Sequence, residues 1–250
     1  NQRAHDELWQ VSAVASGPLV RDKAHWSIGA EYNDQKRDSV ITSALAPGVF
    51  TGSFKQTLVF GRLDGDLDPR QHWMARFNLD RFTDTNPADA VGGVVLPSAA
   101  RNFKRGALAA QLGETAMLSS TAFNEARFVY QDGDPITEFD PAHDSTQFVR
   151  PGVSTEGESR SARLTNRQFQ LADTMSYSSG NHLLKFGGDY TRSRSGGNGQ
   201  EFGAPFVLGQ FTFKAGISPT IPTSQLTIAD VQRYTQGFGN VHYSVSESLW

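Results

Sequence analysis

Apolar and polar residues alternate along most of the chain. Trp9, Val11 and Ala13 stand opposite Gln10 and Ser12, and Trp26, Ile28, Ala30 and Tyr32 stand opposite Ser27, Gly29, Glu31 and Asn33. The cleanest run is 72–82, where Trp73, Ala75, Phe77 and Leu79 take one side and His72, Met74, Arg76, Asn78 and Asp80 the other. A period of two marks a strand whose faces meet different surroundings. Followed through, it predicts about ten strands, at 7–15, 24–33, 54–63, 72–82, 103–112, 116–131, 168–177, 182–190, 210–214 and 235–247. In the sixth, Leu118, Ala122, Ala126, Phe128 and Tyr130 share a face, opposite Thr121, Glu125, Arg127 and Gln131. The Ala-rich stretch 99–112 also fits period two, and helical periodicity is nearly absent.

The connections alternate too. Short polar turns are expected near 20–23, 64–70, 113–115 and 178–181, and long polar, Gly/Pro-containing connections at 34–52, 83–101, 132–163 and 191–233. The turn Ser178-Ser179-Gly180-Asn181 closes a hairpin over 168–190. Short turns at one end and long loops at the other are the pattern of an outer-membrane barrel, with the long loops extracellular. Strands of about ten residues match the ~9–11 that cross a bilayer at a tilt. Trp9, Trp26, Tyr32, Trp73, Tyr130, Tyr177 and Tyr190 fall near strand ends, where interfacial aromatic girdles sit. The expected fold is all-β: an antiparallel up-and-down transmembrane β-barrel, with these strands forming part of a larger barrel. A soluble antiparallel β-domain shares the alternation, because one of its faces packs a core. It lacks a reason for long loops always at the same end.

Bulk properties narrow the field. The chain has 250 residues and a net charge of -3, which gives nucleic acid no broad attraction. No window approaches the ~20 apolar residues of a membrane helix, a test blind to half-apolar barrel strands. There is no cysteine, hence no disulfide and no thiolate metal site. The chain opens on Asn1 without a leader-like segment, so an internal piece of a longer protein, or a processed chain, is expected. At the other end, Trp250 shares parity with Ser248, Ser246 and Ser244, whereas the apolar parity carries Val241, Tyr243 and Val245. A terminal aromatic of an outer-membrane barrel belongs on the outward face, so this parity argues against a native C-terminus.

Charge on the lipid side of a barrel costs ~2–4 kcal/mol for Arg at mid-membrane. Arg76, Asp80, Glu125, Arg127, Lys185 and Asp189 are therefore expected to face the lumen, where a solute or an internal plug would meet them. Leu184, Phe186 and Tyr190 suit lipid. Strand 168–177 is ambiguous, because Asp173 shares parity with Phe169, Leu171 and Met175. Either Asp173 faces lipid, or that parity turns inward against something apolar, or a bulge intervenes. Asp64, Asp66 and Asp68 imitate the start of a calcium loop, but the twelfth position is Ala75 instead of the bidentate Glu required. The acidic loop with Asp132, Asp134, Glu138, Asp140 and Asp144 reads as solvated, with a divalent-cation site as the alternative. His143 beside Asp140 and Asp144 has the makings of a general base for a barrel hydrolase, yet no nucleophile is positioned and no Gly-x-Ser-x-Gly elbow exists. Loop aromatics Phe139, Phe148, Phe202 and Phe206 would pack the loops together or touch substrate. No catalytic residue, cofactor or metal ligand is assigned, and no enzyme activity is expected.

Several short runs look familiar in order and spacing. They are Asn124-Glu125-Ala126-Arg127-Phe128, Gln147-Phe148-Val149-Arg150-Pro151-Gly152, Gly157-Glu158-Ser159-Arg160, Phe169-Gln170-Leu171-Ala172-Asp173-Thr174, Leu184-Lys185-Phe186-Gly187-Gly188-Asp189-Tyr190 and Phe202-Gly203-Ala204-Pro205-Phe206. Together they resemble TonB-dependent outer-membrane receptors, specifically the Oar-like group with a carboxypeptidase-regulatory-like N-terminal domain. The resemblance implies a segment of a 22-stranded barrel in the bacterial outer membrane, without the plug or TonB box. Its implied partners are outer-membrane lipid, the TonB complex acting through N-terminal parts absent here, and an unidentified solute, with no nucleic acid. The alternatives are a surface-exposed β-domain that binds a glycan or protein, and a ten-stranded outer-membrane barrel hydrolase.

Overall fold

The computed structural model describes residues 6–85, 91–139, 146–157, 162–198, 207–237 and 242–249. Its strands are β1 (Asp6–Val20), β2 (Ala24–Ile41), β3 (Gly48–Asp68), β4 (Gln71–Thr85), β5 (Arg101–Met117), β6 (Ala122–Phe139), β7 (Gln147–Arg150), β8 (Ser154–Glu156), β9 (Ala162–Ser179), β10 (His182–Asn198), β11 (Val207–Phe213), β12 (Val231–Gly237) and β13 (His242–Leu249). Nine of them form one sheet in the order β1-β2-β3-β4-β5-β6-β9-β10-β13, and every described pairing within it is antiparallel. The four short strands make a second sheet, β12-β11-β7-β8. The large sheet is open, with β1 and β13 at its edges.

The strands run well past the expected boundaries. Residues 34–41 and 48–52 belong to β2 and β3, so the connection expected at 34–52 shrinks to 42–47. The turn expected at 113–115 is corrected: Gly113 and Thr115 pair with Met74 and His72 inside β5, and the chain reverses between Met117 and Ala122. Leu118 accordingly lies in that turn and not on the β6 face. β3 continues to Asp68, leaving Pro69-Arg70 as the turn. The strand expected at 235–247 is two strands in different sheets, β12 and β13. β3 has 21 residues, roughly 70 Å at ~3.3 Å per residue. A bilayer crossing takes ~9–11 residues, so about half of this strand lies beyond the hydrocarbon. There both faces meet water and the alternation fades while the backbone ladder continues.

Register ties the faces together. Tyr190 pairs with Leu171, then in turn come Phe128, Leu112, Ala75, Leu63 and Trp26. That single row joins the top of one apolar block to the bottom of another. On β10 the block is Leu184, Phe186, Gly188 and Tyr190; on β2 it is Trp26, Ile28, Ala30 and Tyr32. The apolar band thus slides six residues over six strand-to-strand steps. One residue per strand, at ~3.3 Å along and ~4.8 Å across, is a strand tilt of about 35°. That falls in the range of membrane barrels. Trp26, Trp73 and Tyr177 lie at the lower margin of the band, and Tyr32, Tyr130 and Tyr190 at its upper margin.

The opposite parity is polar. It carries Ser27, Glu31 and Asn33 on β2, Gln56 and Arg62 on β3, and Gln168, Gln170 and Thr174 on β9. Strand β9 runs through Asp173 without a register shift, so Asp173 stands on the apolar face between Ala126 and Gly188. It accepts a 3.0 Å hydrogen bond from the amide of Asn124, two positions along on the same face.

At the end with the longer connections, the segments bind one another. Thr42 and Ser43 donate backbone hydrogen bonds to the Gly93 carbonyl, Leu96 N–H donates to the Thr155 carbonyl and Thr155 N–H to the Val94 carbonyl, the last two at 2.9 Å. Ser43 Oγ donates to the Val153 carbonyl at 2.8 Å. Ile41, Val91 and Leu96 form a small buried core beneath. Arg150, from the Gln-Phe-Val-Arg-Pro-Gly run, is buried at 2% exposure. It donates to the carbonyls of Ser218 (2.9 Å) and Ile221 (2.8 Å) and to Thr223 Oγ1 (3.3 Å), and so fastens the 146–157 segment to the 214–230 segment. Phe148 packs on Phe211 and Phe213 (centroids 5.8 and 6.2 Å). Phe202 and Phe206 lie outside the described residues, as does the Phe139 side chain.

Candidate functional site

The polar face divides into three zones along the strands. Nearest the short turns, a hollow of about 420 Å³ is lined by Arg62, His72, Gln111, Glu125, Arg127 and Thr174. Its bases Arg62 and His72 have acid partners: Arg62 Nε reaches Asp64, two residues along β3, at 2.7 Å, and His72 Nδ1 lies 2.9 Å from Asp66 across the β3–β4 ladder. Asp68 accepts the Arg70 backbone N–H at 2.7 Å. The three aspartates of the calcium-like run therefore each have a protein partner and converge on no common point. Among the described residues no three His, Asp or Glu side chains gather as metal ligands.

Higher up, a hollow of about 560 Å³ has Ala107, Ala109 and Gly133 as its floor, with Leu58, Phe60, Asn78, Asp80, Arg105 and Gln131 around it. Small residues on β5 and β6 open this space, because longer side chains on the neighbouring strands stand above them. Asp80 closes the upper rim. It accepts from Gln56 Nε2 at 2.9 Å and pairs with Arg105.

Above that rim comes an aromatic strip. Phe54, Phe82 and Phe103 come from three adjacent strands, β3, β4 and β5, and the register puts them on the polar face. Their ring centroids are 5.6 and 5.4 Å apart with interplanar angles of 36° and 41°. Arg37 lies over Phe54 at 5.8 Å and Arg105 over Phe82 at 4.8 Å. Arg37 also pairs with Asp84 at 2.5 Å.

All six residues singled out in the sequence share this face. Arg76 donates to Asn78 Oδ1 at 3.3 Å. Asp189 accepts from Gln170 and, at 3.4 Å, from Thr191. Glu125 and Arg127 are exposed in the lower hollow, and Lys185 is exposed on β10. Asp80 alone among the six reaches the upper site. The upper cluster of Arg37, Phe54, Phe82, Phe103 and Arg105 escaped the sequence reading, because Arg37 fell in a presumed loop and the rings sit at strand ends. Continuing the period of two from Asn33 through Gln35 to Arg37 would have found it. Asp140, His143 and Asp144 lie outside the described residues, as does the Glu138 side chain, so the hydrolase and acidic-loop readings have no geometry here. Asp132, at the edge of that loop, is engaged by Tyr130 and by Arg167, each at 3.0 Å.

A tilted apolar band between aromatic margins, backed by a polar wall, is the physical form of a membrane barrel. Residues 32–247 match the outer membrane beta barrel domain family. The chain belongs to that family. No curated protein matches it. Among solved structures, the outer membrane transporter YddB from Escherichia coli superposes over 98% of this chain with a TM-score of 0.62 and 9% sequence identity. That likeness is one of fold. The aligned region covers 30% of the YddB chain, so this outer-membrane barrel domain spans less than a third of that transporter. In the outer membrane, its apolar band is the face suited to lipid. Grooves of about 650 and 630 Å³ lie on the apolar face, walled by residues such as Trp73 and Phe128 or Trp26 and Phe77.

Proposed function

We propose that this chain is an arc of the barrel wall of a TonB-dependent receptor that imports a solute across the outer membrane. The observation that carries the reading is the inner wall. Arg76, Asp80, Glu125, Arg127, Lys185 and Asp189 share one sheet face, and the connections at its loop end are bound to each other. A wall so dense in paired and unpaired charges suits a lumen that holds a plug or passes a polar solute. The longer connections are extracellular in this reading, and the plug and TonB contact come from parts of the protein outside this chain. The activity is transport and no chemistry is assigned to the wall.

The test is uptake in cells carrying the intact receptor gene, its deletion, and the intact gene in a TonB-deficient background. A panel of radiolabelled iron chelates, oligosaccharides, peptides and cobalamin serves as probe. Accumulation of one class that requires both the gene and TonB supports the reading. Gene-dependent entry that persists without TonB indicates a passive pore and contradicts it, as does an absence of gene-dependent entry.

A further inference from the structure

We infer that the aromatic strip at the loop end of the inner wall is a binding site for a neutral oligosaccharide. This rests on the transport reading above and names the class of solute that the wall takes.

Three features carry it. The first is a strip of planar groups. Phe54, Phe82 and Phe103 step across three strands at 5.6 and 5.4 Å spacing, and the guanidinium of Arg105 stacks on Phe82 at 4.8 Å, adding its own planar surface there. Successive rings are tilted by 36° and 41°. A pyranose ring has a C–H face that stacks on such surfaces, and a chain of several sugars needs a row of them. The rings are half-buried, so their packing holds them in place and little entropy is lost in ordering them on binding.

The second is the kind of polar group beside the strip. Gln56 on β3, Asn78 on β4 and Gln131 on β6 each carry an amide, which both donates and accepts. Sugar hydroxyls also do both. The hollow of about 560 Å³ that Asn78 and Gln131 line lies directly below the strip and is floored by Ala107, Ala109 and Gly133. It provides depth for a sugar ring whose hydroxyls turn toward the wall.

The third is charge balance. The two cations that lie over the rings are each matched by a carboxylate, Arg37 by Asp84 at 2.5 Å and Arg105 by Asp80. An anionic iron chelate or a phosphorylated solute would call for unpaired cations at the contact surface. None of these four groups offers one, and the matched pairs instead present fixed hydrogen-bonding edges to an uncharged ligand. The position is consistent with capture from outside, since Phe82 and Asp84 lie beyond Leu79, the last apolar residue of the band on β4.

The experiment uses the full-length receptor purified in detergent. Calorimetry is run with maltohexaose, cellohexaose, xylohexaose, mannohexaose and N-acetylchitohexaose, and with ferric enterobactin as an anionic probe. At least one neutral hexaose should bind. Phe82→Ala and Phe54→Ala should each weaken it about tenfold or more. Phe82→Leu, which keeps the apolar volume but removes the planar face, should weaken it similarly while the folded protein keeps its heat-resistant gel mobility. Phe148→Leu, within the loop sheet, should bind as the parent does. The inference is overturned if no neutral hexaose binds, if only the anionic probe binds, or if the ring variants leave affinity as it was. None of these outcomes touches TonB-dependent uptake, which the cell assay tests separately, so a failure of the ligand class is told apart from a failure of the transport reading.

Discussion

Asn124 donates its side-chain amide to the Asp173 carboxylate at 3.0 Å across the β6–β9 ladder. Both residues stand on the lipid-facing parity, with Met175 beside Asn124 and Leu171 one alternate position beyond Asp173. A carboxyl group facing hydrocarbon is costly without a donor, and this bond supplies one. Asn124→Ala should therefore destabilise the barrel by about 1–3 kcal/mol, the cost of an unsatisfied polar group in a dry setting. Asp173→Leu should be neutral or stabilising, and the double variant should resemble Asp173→Leu. Urea unfolding in lipid vesicles, followed by tryptophan fluorescence, reads all three. Additive effects in the double variant would show that the two side chains do not depend on each other.

Two glycine–phenylalanine pairs lie on neighbouring strands and on opposite faces. Gly29 pairs with Phe60 on the inner wall, and Gly61 pairs with Phe77 on the lipid side. In each case a methyl group on the glycine would collide with the ring lying over it. The ring covers a strand position that has no side chain of its own, an arrangement that steadies glycine in a sheet. Gly29→Ala and Gly61→Ala should each cost about 1–3 kcal/mol by displacing the ring. Gly29→Ala paired with Phe60→Leu should recover part of the loss. The same unfolding assay checks this, and Gly48→Ala, where a methyl meets nothing within 4 Å, is the control.

The period of two made the faces of β2, β3 and β4 readable, because inside the bilayer one face meets lipid and the other water. The same physics explains the misses. Beyond the band both faces are wet, so 34–41 and 48–52 carry no alternation and resemble loop, although their ladder continues. Gly113 suggested a turn, yet it is the small residue that lies between Met74 and Arg127 in the ladder. The six charged wall residues were legible because a charge on a half-apolar strand reveals its parity. The aromatic strip was not, because Phe54 and Phe82 on a polar face read as ordinary apolar residues until three strands bring them together. The role of Arg150 depends on contacts 68 to 73 positions away, which no local pattern encodes.

Arg150 is the fastening of the loop sheet. Its guanidinium serves three acceptors in two directions, which a single ammonium cannot reproduce. Arg150→Ala should leave the Ser218 and Ile221 carbonyls short of a donor and loosen the segment 214–230 by about 1–3 kcal/mol. Arg150→Lys should rescue little of it. Limited proteolysis of intact cells should cut both variants faster within 214–230, with the band-spanning strands still folded. An unchanged cleavage rate would remove the fastening role.

Asp230 gives the same region a pH dependence. Its carboxylate accepts the Thr227 backbone N–H at 2.8 Å and the Thr227 hydroxyl at 2.9 Å. The backbone bond first, then the hydroxyl, hold its pKa below the usual 3.8, with the charge of Lys214 adding to them. A lowered folded value means that the stabilising contribution is complete above the unfolded pKa and is lost as pH falls through the folded one. Amide-exchange protection in this turn should therefore hold steady from neutral pH to about 4 and fall below it. Asp230→Asn should flatten the profile, and a profile unaltered by that change would assign the acid sensitivity elsewhere.

The central claim is that one sheet face meets lipid and the other meets an aqueous lumen. This chain contains no cysteine; single cysteines placed at Phe77, Asn78, Leu79 and Asp80 on β4 can be spin-labelled one at a time in the full-length protein, with any cysteine elsewhere in it replaced by Ser, reconstituted into vesicles. Collision rates with oxygen, which concentrates in lipid, and with a water-soluble nickel complex are then compared along the strand. The account predicts a strict period of two, with 77 and 79 favouring oxygen and 78 and 80 favouring nickel. Equal nickel access at all four positions, or a reversed phase, would contradict it.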